Sequence, residues 1–172
     1  MGMDFLALAE SRYSCRKFAQ KPVEQAALER ILRAGQVAPT ACNYQPQVTY
    51  VLQSGAALEK LRGCTGSHFH APLALLVCYD RTKSWKRDYD GEDSGWVDAS
   101  IVTTHMMLEA WEQGVGSTWV MHFDPAAVCT AFELPQEQTP VAILVMGYPA
   151  EDAHPSRLHA DNKPLSDTVI YR

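Results

Sequence analysis

Several things are missing from this chain of 172 residues, and each absence removes a class of function. No apolar run reaches the roughly 18 residues that a membrane-spanning helix needs. Met1 to Glu10 has neither the basic start nor the long apolar stretch of a secretory leader. We expect a cytoplasmic protein with no membrane partner. Positive charge is in short supply, 15 Lys and Arg against 20 Asp and Glu for a net charge of -5. A nucleic-acid binder should instead carry a basic stripe, so no nucleic-acid partner is expected. The five cysteines (Cys15, Cys42, Cys64, Cys78 and Cys129) are odd in number and include no C-x-x-C pair. That fits reduced thiols better than a disulfide framework. No G-x-G-x-x-G dinucleotide unit, internal repeat, low-complexity tract, catalytic triad or carboxylate pair can be found.

What is present reads as one ordinary globular domain over residues 1–172, with 47% hydrophobic and 20% charged residues. A chain of this size can bury roughly 70% of its unfolded surface, enough for one core. Asp4 caps a first helix with Phe5, Leu8 and Ala9 on one face. Leu28, Ile31, Leu32 and Gly35 define a second over Val23 to Gly35, stopped by Pro39. Strands are expected at Val48 to Leu52, Leu73 to Tyr79, Ser117 to Met121 and Val141 to Met146. The run from Leu73 is apolar almost throughout and so central. Ser54 and Asp124-Pro125 open short helices. The strongest helical pattern is Val97, Ile101, Thr104, Leu108, Trp111 and Val115, stepping by four and three as a buried seam does. A second apolar face, Val102, Met106 and Ala110, suggests burial on more than one side, against the chain and a partner subunit. Arg81 to Gly95 reads as a polar surface loop, and Ala150 to Arg172 as a polar tail that must lie on something else. The order of elements predicts an α+β fold, a central mixed sheet flanked by helices.

Two stretches carry the chemistry. In Arg12-Tyr13-Ser14-Cys15-Arg16-Lys17-Phe18, two guanidiniums and a hydroxyl recur at every second residue and can converge on one anion. Arginine forks match phosphate oxygens, and a hydroxyl completes the cage. The alternative is a solvated charge pair beside a capping serine. In Pro39-Thr40-Ala41-Cys42-Asn43-Tyr44-Gln45-Pro46, two prolines stiffen a segment whose amides can donate and accept toward a flat heterocycle. A rigid turn with surface amides is the simpler reading. Cys15 sits between arginines that could lower its pKa, but a packing role is expected. His68 and His70 are too few for a metal site, and none is expected; His105 is read as a core or interface residue.

These stretches, followed by Asp98 to Asp124, Leu134-Pro135, Met146-Gly147-Tyr148-Pro149 and Lys163-Pro164-Leu165, resemble the nitroreductase family of FMN-dependent oxidoreductases over nearly the whole chain and in the family's order. The resemblance implies a homodimer with FMN at its interface and a C-terminal tail extending over the partner subunit. It implies hydride transfer from NADH or NADPH through flavin N5 to a small flat aromatic acceptor, a nitroaromatic or quinone, with ping-pong kinetics. Arg12 and Ser14 would then bind the FMN phosphate, with Tyr13 among the cofactor-binding residues. Arg16 would lie near the pyrimidine end and stabilise the charge left by reduction, a catalytic role. Pro39, Thr40, Ala41, Asn43 and Gln45 would line the flavin from the second protomer, Gly116 and Ser117 would pass near N5, and Lys163 would reach the phosphate. Asn162 stands where relatives commonly carry a basic residue, and Gln47 where many carry an aromatic one. A flavin carrier or redox sensor without turnover is the alternative.

Overall fold

The computed structural model describes residues 4–172. Met1, Gly2 and Met3, the start of the stretch read above for a leader, lie outside the described residues. The Asp4 carboxylate accepts from the Ala7 amide and caps α1 (Phe5–Ser11). Helix α2 (Gln25–Gln36) buries Leu28, Ile31 and Gly35, three positions on one helical stripe. Ser54 caps α3 (Gly55–Cys64) by accepting from Ala57 N. Asp124 accepts from the amides of Ala126 and Ala127, and Pro125 opens α5 (Pro125–Ala131), where its missing N–H costs nothing.

The sheet comprises β1 (Gln47–Leu52), β2 (Leu73–Asp80), β3 (Gly116–Val120) and β4 (Gln138–Gly147) in the order β1-β2-β4-β3. Every neighbouring pair is antiparallel, with Val51 opposite Leu75, Leu75 opposite Leu144, and Leu144 opposite Trp119. The expected α+β class with flanking helices is therefore what forms, but the expected mixture of strand directions is absent from adjacent strands. The physical reason lies in the connection. β2 and β3 do run the same way, joined by a crossover through α4 (Gly95–Glu112), and β4 returns between them to fill the place the crossover skipped. Among the described residues, the parallel pairing that survives is an isolated bridge between Ser14 and Ser117.

All eight residues of β2 are buried, because both sheet faces are covered. Leu73, Leu75, Val77 and Tyr79 join a cluster with Leu28 and Ile31 of α2 and Ala99, Val102, Met106 and Ala110 of α4. Ala74, Leu76 and Cys78, pointing the other way, join Leu61 of α3 and Val128 of α5. Alternation along one strand thus builds two half-cores.

Helix α4 corrects the sequence reading in one respect. Within the helix the seam that looked most buried faces outward: Val97 is 60% exposed and Ile101, Thr104, Leu108 and Trp111 are only half-buried, whereas Val115, past the helix end, is buried in the core. The face in the core is the one ranked second, together with the small residues Ala99 and Thr103. Small residues let α4 approach its neighbours closely. A Cβ added at Gly35 of α2 would fall 2.8 Å from Met106 Cγ.

The polar interval before α4 is an ion-paired hairpin rather than an unrestrained loop. Lys86 pairs with Asp93 at 2.6 Å and Arg87 with Asp90 at 2.6 Å. Asp80 at its base accepts from the Thr82 hydroxyl and amide and pairs with Lys83, which holds its carboxyl down at about 2. The tail after β4 is exposed over most of its length and ends in uncovered apolar side chains, Leu165, Ile170 and Tyr171, the last 94% exposed. No helix among the described residues is long and apolar enough to cross a membrane.

Candidate active site

The anion motif follows directly from the end of α1. Helix α1 stops at Arg12, which is extended, and the next residues run beside β3. Cys15 N donates to Ser117 O at 2.9 Å, and the Thr118 hydroxyl donates back to Cys15 O. An extended segment places alternate side chains on one side. Cys15 points inward and is fully buried, while Arg12, Ser14 and Arg16 stay outside. The close approach needs a glycine at 116, where an added Cβ would meet Cys15 Cβ at 2.8 Å. Gly116 and Ser117 are thereby fixed beside the motif, and what the bare Gly116 admits is the Cys15 side chain.

Arg12, Tyr13, Ser14 and Arg16 line one cavity of about 300 Å³, whose other walls are Ser156, Leu158 and His159 of the tail. Ser14 and Arg16 also line an adjoining space of about 200 Å³ with Lys17, Ala153, His154 and Ser156. No carboxylate is among the lining residues of either. Lys17 is ion-paired with Asp152, but neither Arg12 nor Arg16 pairs with an acid among the described residues. Arg16 is oriented instead by Nη1, which donates to Ser14 O at 3.2 Å, with the Phe69 ring 6.0 Å from its guanidinium carbon. Two unpaired cations facing one cavity repel each other, and an anion removes that cost. The donor set, two planar forks and a hydroxyl, suits a phosphate.

Tyr13 is held edge-on to Trp111 at 5.1 Å, and Trp111 Nε1 donates to Ser11 Oγ at 2.9 Å. Burial pushes the Cys15 thiol up, outweighing the lowering influence of the Lys17 carbonyl, Tyr13 and Arg16. The thiol therefore stays protonated and packs, consistent with the structural role expected for it.

The second stretch is not brought to this cavity within one chain. Pro39, Thr40, Ala41, Asn43 and Gln45 line neither space, and Pro39, Asn43 and Gln45 are exposed. The segment is nevertheless built as a fixed shape. Thr40 Oγ1 accepts from Gln45 N at 3.0 Å, and Ala41 to Asn43 form a 3-10 turn. Cys42, Asn43 and Gln45 sit at φ of 50°, 56° and 51°, a region that disfavours non-glycine residues and is entered where surroundings compel it.

One of those compelling groups is Asp98, which the sequence reading passed over. Its side chain is 2% exposed on the core face of α4. Oδ1 accepts from Ala41 N at 2.8 Å and Oδ2 from Ser94 Oγ at 2.8 Å. The available signal was a lone acid in the first turn of α4, on the same face as Val102, Met106 and Ala110 of the core. Asp98→Ala is expected to cost about 1 to 2 kcal/mol in chemical denaturation, since it strands the part-buried Ala41 N–H. Asp98→Asn, which keeps an acceptor, should cost less. Lys163, expected at the phosphate, is exposed and lines neither cavity, whereas Ser156 and His159, also unanticipated, do. Among the described residues no three His, Cys, Asp or Glu side chains are grouped to hold a metal ion.

The model of the nitroreductase family matches residues 9–69 and 66–148. The chain is similar to a nitroreductase family protein of Clostridium difficile 630 of known structure, with 42% identity, a TM-score of 0.93 and 98% of both chains covered. It is 26% identical over 202 residues to an NADH dehydrogenase of Thermus thermophilus, covering 99% of this chain and 97% of that protein. It is also 29% identical over 156 residues to an FMN reductase [NAD(P)H] of Bacillus subtilis, covering 80% of this chain and 63% of that protein. With the family model spanning both the anion motif and the sheet that positions it, the chain belongs to the nitroreductase family.

Proposed function

We propose that this chain is an FMN-dependent NAD(P)H oxidoreductase, acting as a homodimer with the flavin between subunits. The observation that carries the reading is the carboxylate-free cavity into which Arg12, Ser14 and Arg16 converge without an acidic partner. Its relatives' names point to the same cofactor and donor, FMN and NAD(P)H. When bound, FMN supplies the chemistry, taking hydride at N5 from NADH or NADPH and passing it to a small flat aromatic acceptor such as a nitroaromatic or quinone.

The protein's share is position and charge. Arg12 and Ser14 hold the phosphate by charge-assisted hydrogen bonds. Arg16, steered by Ser14 O, presents a fixed cation toward the pyrimidine end, where reduction leaves negative charge. Gly116 and Ser117 would offer the backbone beside the ring, whereas Lys163, which lines neither cavity, is the contact the single chain supports least. Pro39, Thr40, Ala41, Asn43 and Gln45, exposed in one chain, line the flavin of the other. A partner is also what the outer face of α4 calls for. Trp96, Val97, Ser100, Ile101, Thr104 and His105 form an apolar groove of about 540 Å³ that nothing among the described residues fills.

Initial rates with NADH or NADPH and a quinone test the reading. Parallel double-reciprocal lines are expected, because donor and acceptor occupy the same face in turn. Flavin bound without turnover by either nicotinamide would favour a carrier or redox sensor instead.

A further inference from the structure

The wall of the 300 Å³ cavity opposite the anion motif belongs to the tail, and two of its side chains have hydrogen-bonding capacity to spare. Ser156 Oγ accepts from Leu158 N at 3.1 Å, which leaves its O–H free to donate. Neither ring nitrogen of His159 makes a hydrogen bond among the described residues. Its backbone is nonetheless fixed, by His159 N donating to Ser156 O at 2.9 Å. The ring is fixed too, edge-on to Tyr13 at 6.3 Å, and Tyr13 is itself braced by Trp111. A histidine ring held by packing, half-buried, beside two unpaired guanidiniums adds a donor to an anion site: either neutral tautomer offers one N–H, and the cation offers two.

We propose that His159, assisted by the Ser156 hydroxyl, is a ligand of the cofactor's phosphate. The inference rests on the flavin reading above and adds a tail residue that closes over the phosphate from the same chain. Binding to the rest of the flavin does not involve it.

The test titrates the flavin-free protein with FMN and, separately, with riboflavin, which carries the same ring and no phosphate, following flavin fluorescence. His159→Ala is expected to weaken FMN about tenfold, the size of one hydrogen bond to a charged group, and to leave riboflavin affinity unchanged. His159→Arg, which restores a donor and a charge, is expected to recover FMN affinity. Unchanged FMN affinity in His159→Ala would overturn the proposal. So would equal losses for FMN and riboflavin, which would place the effect on the ring or on the fold. Wild-type protein that binds neither compound would remove the flavin reading and this assignment together, an outcome distinct from the other two.

Discussion

Arg16→Ala is expected to slow reduction of bound flavin by roughly 100-fold, the usual effect of removing one group aimed at developing charge, while changing FMN affinity far less. The asymmetry follows from position. Arg12 and Ser14 remain to hold the phosphate, whereas among the residues lining the cavity no other unpaired guanidinium is tied to Ser14 O. Loss of the cation leaves the negative charge of the reduced flavin uncompensated, so the midpoint potential should also fall. Arg16→Lys keeps the charge but not the fork that reaches Ser14 O, and should recover part of the rate. Stopped-flow reduction by NADH or NADPH, beside FMN titration, separates the two effects. Equal losses in rate and affinity would mean that Arg16 is one more phosphate ligand.

The paired substitution Val97→Glu with Thr104→Glu is expected to give monomers that no longer retain FMN. Both side chains lie on the outer face of α4 and line the empty apolar groove. Val97 is 60% exposed in the single chain, so a carboxylate there is solvated and the fold should survive. At a subunit contact the same carboxylates would be buried without partners, costing several kcal/mol. The dimer dissociation constant should then rise by roughly three orders of magnitude. Flavin should be lost with the partner, because Pro39 to Gln45 are proposed to line it from the second subunit. Sedimentation and FMN retention report the two effects. A dimer that persists, or a monomer that keeps its flavin, would place the interface or the second half of the site elsewhere.

That helix also marks where sequence reasoning stops. Its periodicity identified two apolar faces, and both exist. A stripe of Val97, Ile101, Thr104 and Leu108 cannot say whether its neighbour is the same chain or another, since hydrophobic burial has no direction. The core face was the less conspicuous one because Ala99, Thr103 and Ala110 are small, which is why the helix can sit close to β2 and α2. Strand positions and helix caps were readable from local chemistry: Asp4, Ser54 and Asp124 each cap as expected. Strand direction was not, because the crossover through α4 fixes only that β2 and β3 run alike and is silent about β4 between them. Within the site, Arg12, Ser14 and Arg16 share a face because an extended segment alternates. His159 had no such pattern; it stands in an aperiodic tail and is located by packing on Tyr13. The left-handed turn at Cys42, Asn43 and Gln45 was equally hidden, since no glycine announces it and Asp98, from 57 residues away, anchors it.

The central claim is that the cavity of Arg12, Ser14 and Arg16 holds a flavin that a nicotinamide can reduce. The most direct measurement is the visible spectrum of the protein incubated with FMN and freed of excess, recorded without oxygen before and after addition of NADH, then NADPH. The account predicts retained flavin bands that bleach with at least one of the two donors. A protein that retains no flavin at all, although folded, would contradict it.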